Sequence, residues 1–196
     1  RRLLCLRTEA ASQPLTGAET ADVGFLDLDA PQAGFQKFDE TRAWCWQQSN
    51  MLQWRRGVEN EIIYNRLDGD CFVSVIRNMD TGASRVLPRP IYCLSPDGRH
   101  ALSLNFARLA HTRPGYGYPA LPDPWKNVMC PDDDGVYLVD LQTGRSRLVV
   151  SVRRAADEFP DSRFTDRHHW FNHLLFNTDG SRFAFLHRWR YEGRYK

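Results

Sequence analysis

The sequence predicts an all-β fold assembled from repeated hairpins, and three observations carry that expectation. Short runs rich in Val, Ile, Phe and Tyr alternate with Gly-containing turns along the 196 residues, which is strand patterning. Three segments share one hairpin plan, and a second plan follows the first two of them. The turn glycines Gly57 and Gly98 lie 41 residues apart, inside the ~40–50 residue period of stacked sheet repeats.

The first plan reads Asn50-Met-Leu-Gln-Trp54, a turn around Gly57, then Glu61-Ile-Ile-Tyr-Asn-Arg66. It recurs as Ile91 to Ser95, Pro96-Asp97-Gly98, then Arg99 to Asn105, and again as His173 to Asn177, Thr178-Asp179-Gly180, then Ser181 to His187. The second plan pairs Cys71–Arg77 with Ala83–Leu87 across Asp80-Thr81-Gly82, and Gly135–Leu141 with Arg145–Val150 across Gln142-Thr143-Gly144. Two hairpins make four antiparallel strands, one blade of a β-propeller. The stretches Leu3–Leu6, Val23–Leu28 and Phe35–Phe38 fit the later strands of an earlier blade. The reading is one β-propeller domain of four-stranded antiparallel blades over 1–42, 43–90, 91–152 and 153–196, with a rim insertion at 106–134. Propellers close with ~4–8 blades, and both ends fall within blades. The chain therefore reads as a fragment with its native start missing, since Arg1 is not an initiator Met.

Strands in a blade alternate in direction, so the tight Gly turns share one face and the long links 39–49, 67–70, 106–134 and 151–172 share the other. Elaborate loops on a rigid scaffold are where binding and catalysis concentrate. That face gathers Trp46, Gln48, Arg66, His111, Arg113, Tyr116, Tyr118 and Arg188 as candidate substrate contacts. Aromatic rings stack on pyranose faces while Arg pairs with acids, so an acidic oligo- or polysaccharide is the expected partner. The insertion 106–134 is expected to be an ordered lid or rim loop.

The Asp179-Gly180 turn sets residue 173 opposite about residue 186, which predicts His173 and His187 within cross-strand reach. His168 and His169 lie just upstream. Three readings stay open: a divalent metal site of His173, His187 and His168, proton transfer or substrate contact by a histidine, or a structural cluster.

Composition narrows the classes. A net charge of +2 gives no reason to expect nucleic acid. No apolar run approaches the ~20 residues of a membrane span. The 23 Arg against 3 Lys suit forked recognition of carboxylate or sulfate, and equally a coding bias. Five cysteines without C-x-x-C spacing argue against a zinc ribbon or disulfide framework.

The repeated S-P-D-G and D-x-x-T-G turns resemble those of TolB-type propellers, and WD40-like propellers share the repeat architecture. The block His169-Trp-Phe-Asn-His173, with Asn177-Thr-Asp-Gly180 and Phe185-Leu-His187-Arg-Trp189, is similar to the late blades of oligogalacturonate lyases. Those are seven-bladed propellers whose metal is held by histidines. Tyr92 with Arg108 resembles the tyrosine and arginine of propeller-type ulvan lyases. The resemblance implies a polysaccharide lyase cleaving a uronic-acid polymer by β-elimination, with one divalent metal (Mn, Ca or Zn) and a periplasmic or secreted bacterial setting. Within it Tyr92, Arg108, His173 and His169 are the catalytic candidates: Arg108 or Arg113 neutralising a carboxylate, His173 or His169 as base, Tyr92 or Tyr116 as acid. A non-catalytic propeller binding a glycan or protein is the competing expectation.

Overall fold

The computed structural model describes residues 1–11, 14–158, 160 and 166–190. Parts of the predicted link 151–172 and the end of the predicted span 153–196 lie outside those residues. Four antiparallel sheets follow one another along the chain, none closed on itself. The first orders β1 (Arg2–Arg7), β2 (Ala21–Asp27) and β3 (Phe35–Thr41). The second orders β4 (Gln53–Trp54), β5 (Glu61–Asp68), β6 (Cys71–Asn78) and β7 (Ser84–Leu87). In the third, β8 (Cys93–Leu94) pairs with β9 (His100–Ser103), helix α1 (Phe106–Thr112) intervenes, and β10 (Gly135–Asp140) and β11 (Ser146–Ser151) complete the order β8-β9-β10-β11. Helix α2 (Val152–Glu158) precedes the last hairpin, β12 (His168–Phe176) with β13 (Phe183–Arg190). The fold is mostly β, as expected.

Strand β5 explains how the sheets stack. Its residues Ile62 to Asn65 are all buried, where a one-faced strand would alternate. Alternate side chains serve opposite faces. Ile62 and Tyr64 pack with Val23 of β2 and Val75 of β6. Ile63 packs with Ile76, Leu87, Ile91, Ala101, Val139 and Leu141, reaching the third sheet. Each of these isoleucines contributes about 1.5–3 kcal/mol by leaving water. A third cluster joins Leu102 and Val136 of the third sheet to Phe106 and Leu109 of α1 and to Trp170, Phe171 and Leu174 of β12.

The tight turns lie side by side. Gly98 has φ 67°, and a Cβ there would collide with the Arg56 carbonyl, so only glycine suits this approach. Arg55 Nε donates to the Gly98 carbonyl at 3.1 Å, and Gly180 rests on Pro96. Elsewhere on β5, Asn65 ties the second sheet to the third. Its amide donates to Ile91 O at 2.8 Å and to Tyr118 Oη at 2.9 Å, and its carbonyl oxygen accepts from Ile91 N at 2.8 Å.

Three local expectations differ from the structure. β4 and β8 are two-residue strands rather than the predicted five, because Ser49 and Met51 have left-handed φ of 55° and 57° and the Ile91 amide is engaged by Asn65. The insertion 106–134 is ordered, but it begins with a helix, whose Asn105 cap accepts from Arg108 N at 2.9 Å. β12 starts at His168, in the stretch expected to be a link, because His168 to Asn172 are buried without alternation and so lack the period of a half-buried strand.

Candidate functional site

One hydroxyl draws three distant chain segments into a corner. Tyr92, just before β8, is 7% exposed. Its Oη donates to Asn172 Oδ1 at 3.0 Å, accepts from the His173 backbone N–H at 3.0 Å, and accepts from Gln48 Nε2. Gln48 sits in a tight turn closed by a bridge between Cys45 and Ser49, on the link between the first and second sheets. Asn172 and His173 sit where β12 bulges: the register runs Asn172↔Leu186 and resumes at Leu175↔Ala184. The bulge sets His173 at φ 53°, a conformation non-Gly residues seldom adopt. Three of the five left-handed non-Gly residues among those described, Ser49, Met51 and His173, thus flank this corner. Strain of this kind clusters at functional sites.

The mouth of the corner is cationic and aromatic. The Tyr116 ring meets the His173 ring edge-on, centroids 5.8 Å apart. Arg113 lies over the Tyr116 ring at 5.2 Å. The Gln47 amide donates to the Gly115 carbonyl at 3.3 Å, joining the Gln48 turn to the same loop. Burial first, then Arg188 and Arg113, hold His173 below the ordinary imidazole pKa of 6.5. The ring is therefore neutral near pH 7, with a lone pair able to take a proton. Trp46 packs edge-on against Trp44 at 5.1 Å, beside Gln48 in sequence. Among the described residues, Trp46 Nε1, Gln48 Oε1 and Asn172 Nδ2 are buried polar atoms without a hydrogen-bond partner.

The structure divides the expected site residues. Tyr92, Gln48, Arg113, Tyr116, Arg188 and His173 come together, and Trp46 lies two residues before Gln48, packed on Trp44. Arg108 does not join. It is 2% exposed, and its guanidinium donates to His169 O at 2.7 Å, Asp123 Oδ2 at 3.3 Å, Trp125 O at 3.1 Å, Val128 O at 3.0 Å and Met129 O at 2.8 Å. Those bonds use all its N–H donors, so it has none for a substrate carboxylate. Its work is to hold the insertion against β12. Tyr118 is fully buried and stacked on Phe106 at 4.2 Å, so it is core rather than a sugar platform. Arg66 pairs with Asp39 at 3.3 Å and Asp68 at 3.6 Å. His111 packs edge-on against His168 at 5.6 Å, and its carbonyl accepts from Arg190.

The expected metal set does not assemble. His187 pairs with Phe171 in the ladder, not with a residue beside His173. His169 and His187 lie on one face of the hairpin, Nδ1 to Nε2 at 2.9 Å. His168, one residue along, points to the other face, toward His111. Burial and the neighbouring His169 push His187 down to about pKa 4. Among the described residues no three His, Cys, Asp or Glu side chains are grouped to hold a metal ion. His169, with no exposed surface and its ring against His187, is likewise withdrawn from the candidate bases.

Asn172 is the participant that sequence reasoning missed. Its position inside the His169–His173 block was the available signal, but a bulge that turns its amide toward Tyr92 cannot be read from periodicity.

No protein family matches the chain, and no curated protein does. Among solved structures the chain is similar to "AtxE2 Isopeptidase - APO", with 14% identity and a TM-score of 0.44 over 99% of this chain and 34% of that one. The chain spans about a third of the length of that isopeptidase, and a likeness this distant carries no argument about activity. Among the described residues no helix is long and apolar enough to cross a membrane.

Proposed function

We propose that this chain is part of a β-propeller, its four sheets being successive blades, and that the His173 corner cleaves a uronic-acid-containing polysaccharide by β-elimination. The observation that carries the reading is the convergence of a neutral histidine with Arg113, Arg188 and Tyr116. The stacking of both faces of β5 on neighbouring sheets supports the blade arrangement.

Elimination removes the C5 proton beside the uronate carboxylate, forms the C4–C5 double bond and breaks the bond from C4 to the glycosidic oxygen. Negative charge builds on the carboxylate in the transition state, where fixed cations act most strongly. Arg113 and Arg188 supply them. His173 takes the C5 proton, and Tyr116 gives one to the departing oxygen, a general acid–base pair of the usual kind. Of each expected alternative, the buried and committed member is set aside: Arg108 for Arg113, His169 for His173, Tyr92 for Tyr116.

The test is ultraviolet absorbance of the unsaturated product on incubation with pectate, ulvan and glycosaminoglycan panels. The expected result is product from at least one polymer, and loss of activity by ~10²–10⁴-fold in His173→Ala, the usual contribution of a general base. Binding without unsaturated product would replace the lyase reading with that of a glycan-binding propeller. Absence of both binding and product would overturn the carbohydrate reading.

A further inference from the structure

We infer that Tyr92 is a positioning residue: its phenol holds the left-handed backbone of His173 and the Gln48 turn in one fixed relation, so that His173 faces the arginines. The inference rests on the proposed lyase reading for its catalytic consequence and on geometry for the rest.

A phenol has one proton to donate and two lone pairs. The proton of Tyr92 goes to Asn172 Oδ1 at 3.0 Å, and the lone pairs accept from His173 N at 3.0 Å and from Gln48 Nε2. No capacity is left over for a substrate. The ring is anchored as well, packed parallel to Phe106 with centroids 6.0 Å apart and an interplanar angle of 19°. Phe106 is in turn stacked on the buried Tyr118, so Tyr92 is fixed to the core rather than to a loop. What it grips is not otherwise at ease. His173 has φ 53°, and Ser49 and Met51, just after Gln48, have φ 55° and 57°. Left-handed residues of this kind cost about 1–3 kcal/mol each and persist only where their surroundings over-determine them. The His173 amide has two holders, Tyr92 Oη and its neighbour Asn172 Oδ1 at 2.8 Å, and Tyr92 orients Asn172 too. Removing one oxygen therefore loosens both holders of the His173 backbone and releases the Gln48 amide.

Tyr92→Phe removes that oxygen and keeps the ring. The first readout needs no activity: amide hydrogen exchange at His173 is expected to accelerate by about tenfold or more, while the core strand β5 keeps its protection. The second is kinetic. kcat on the cleaved polymer is expected to fall about 10²-fold with KM changed less than threefold, since a base misplaced by ~1 Å costs about that much in the chemical step. Val23→Ala, in the separate cluster with Ile62, Tyr64 and Val75, is the control for general loosening; it is expected to lower Tm while leaving the His173 exchange rate close to that of the parent. Should Tyr92→Phe not fold, Gln48→Met, which removes one of the three bonds, is expected to change exchange and kcat in the same direction by a smaller factor.

Unchanged His173 exchange and unchanged kcat in Tyr92→Phe would overturn the inference. So would loss of the alkaline limb of the kcat–pH profile in that variant with His173 exchange unaltered, because Tyr92 would then be the proton donor. Accelerated exchange in a protein whose parent cleaves no polyuronate would sink the lyase reading and leave the structural role of Tyr92 standing.

Discussion

Two polar clusters lie on either side of the His169–His173 run of β12, and they are built on opposite principles. Around Arg108, every guanidinium N–H meets an oxygen, Asp123 also accepts from Asn105 at 3.0 Å and from Trp125 N at 3.0 Å, and Asp134 accepts from Asn105 and Gly135 N. Around Tyr92, the hydroxyl is saturated, but Gln48 Oε1 and Asn172 Nδ2 lack partners among the described residues and the backbone is held left-handed at three places. A network with nothing left unpaired rigidifies, whereas one with unpaired polar atoms and strained backbone forgoes stability. Sequence makes both arginine-and-histidine clusters look alike; satisfaction of hydrogen bonds tells the clamp from the candidate site.

The largest effect expected from breaking that contrast is at the clamp. Arg108→Met leaves Asp123 buried without its cation and takes a donor away from four carbonyls, and removing one partner of a buried pair costs about 3–5 kcal/mol. Denaturant unfolding should read a loss of that size. His173→Met, on a half-open surface, should read less than about 1 kcal/mol. Equal losses would erase the distinction drawn between the clusters. A smaller effect is expected at Gly117, where an added Cβ would run into the Ala110 amide and the Phe106 carbonyl of α1. Gly117→Ala should destabilise by about 1–3 kcal/mol through overpacking, measured the same way, and should leave β5 exchange protection intact.

Much of the strand order was legible because its signals are local. Asp97-Gly98, Thr143-Gly144 and Asp179-Gly180 mark their turns by composition, and the spans drawn around them contain the four sheets. The turn-based register fell short by one feature. Residue 173 was placed opposite about residue 186, whereas Asn172 is the one opposite Leu186, because a bulge adds residues to one strand without any period to announce it. That shift separates His173 from His187 and dissolves the expected metal set. Arg108 misled for a different reason: an arginine at the start of a long insertion looks the same whether it faces solvent or serves as the insertion's core. Only the carbonyls of residues 125, 128, 129 and 169, distant in sequence, decide it.

The subtlest expected effect is a pH dependence with opposite signs in two regions. Asp134, behind the Arg108 clamp, is pushed up to about 6 from 3.8, chiefly by burial. A carboxyl raised in the folded state stabilises fully below its unfolded value and loses that contribution as pH rises, here between 3.8 and about 6. His187, on the last hairpin, is pushed down from 6.5 to about 4. Its neutral form is the folded form, so its contribution is present above 6.5 and is lost as pH falls toward about 4. In the parent these two slopes oppose each other across the shared window. Asp134→Asn should unmask the histidine, so that stability relative to the parent declines on acidification through that window. His187→Gln should unmask the carboxyl, so that stability relative to the parent declines on alkalinisation instead. Unfolding free energies of the two variants from pH 4 to pH 6.5 test this directly. Parallel profiles would mean that the clamp and the hairpin do not titrate as separate regions, whereas crossing profiles would assign each slope to its own side of β12.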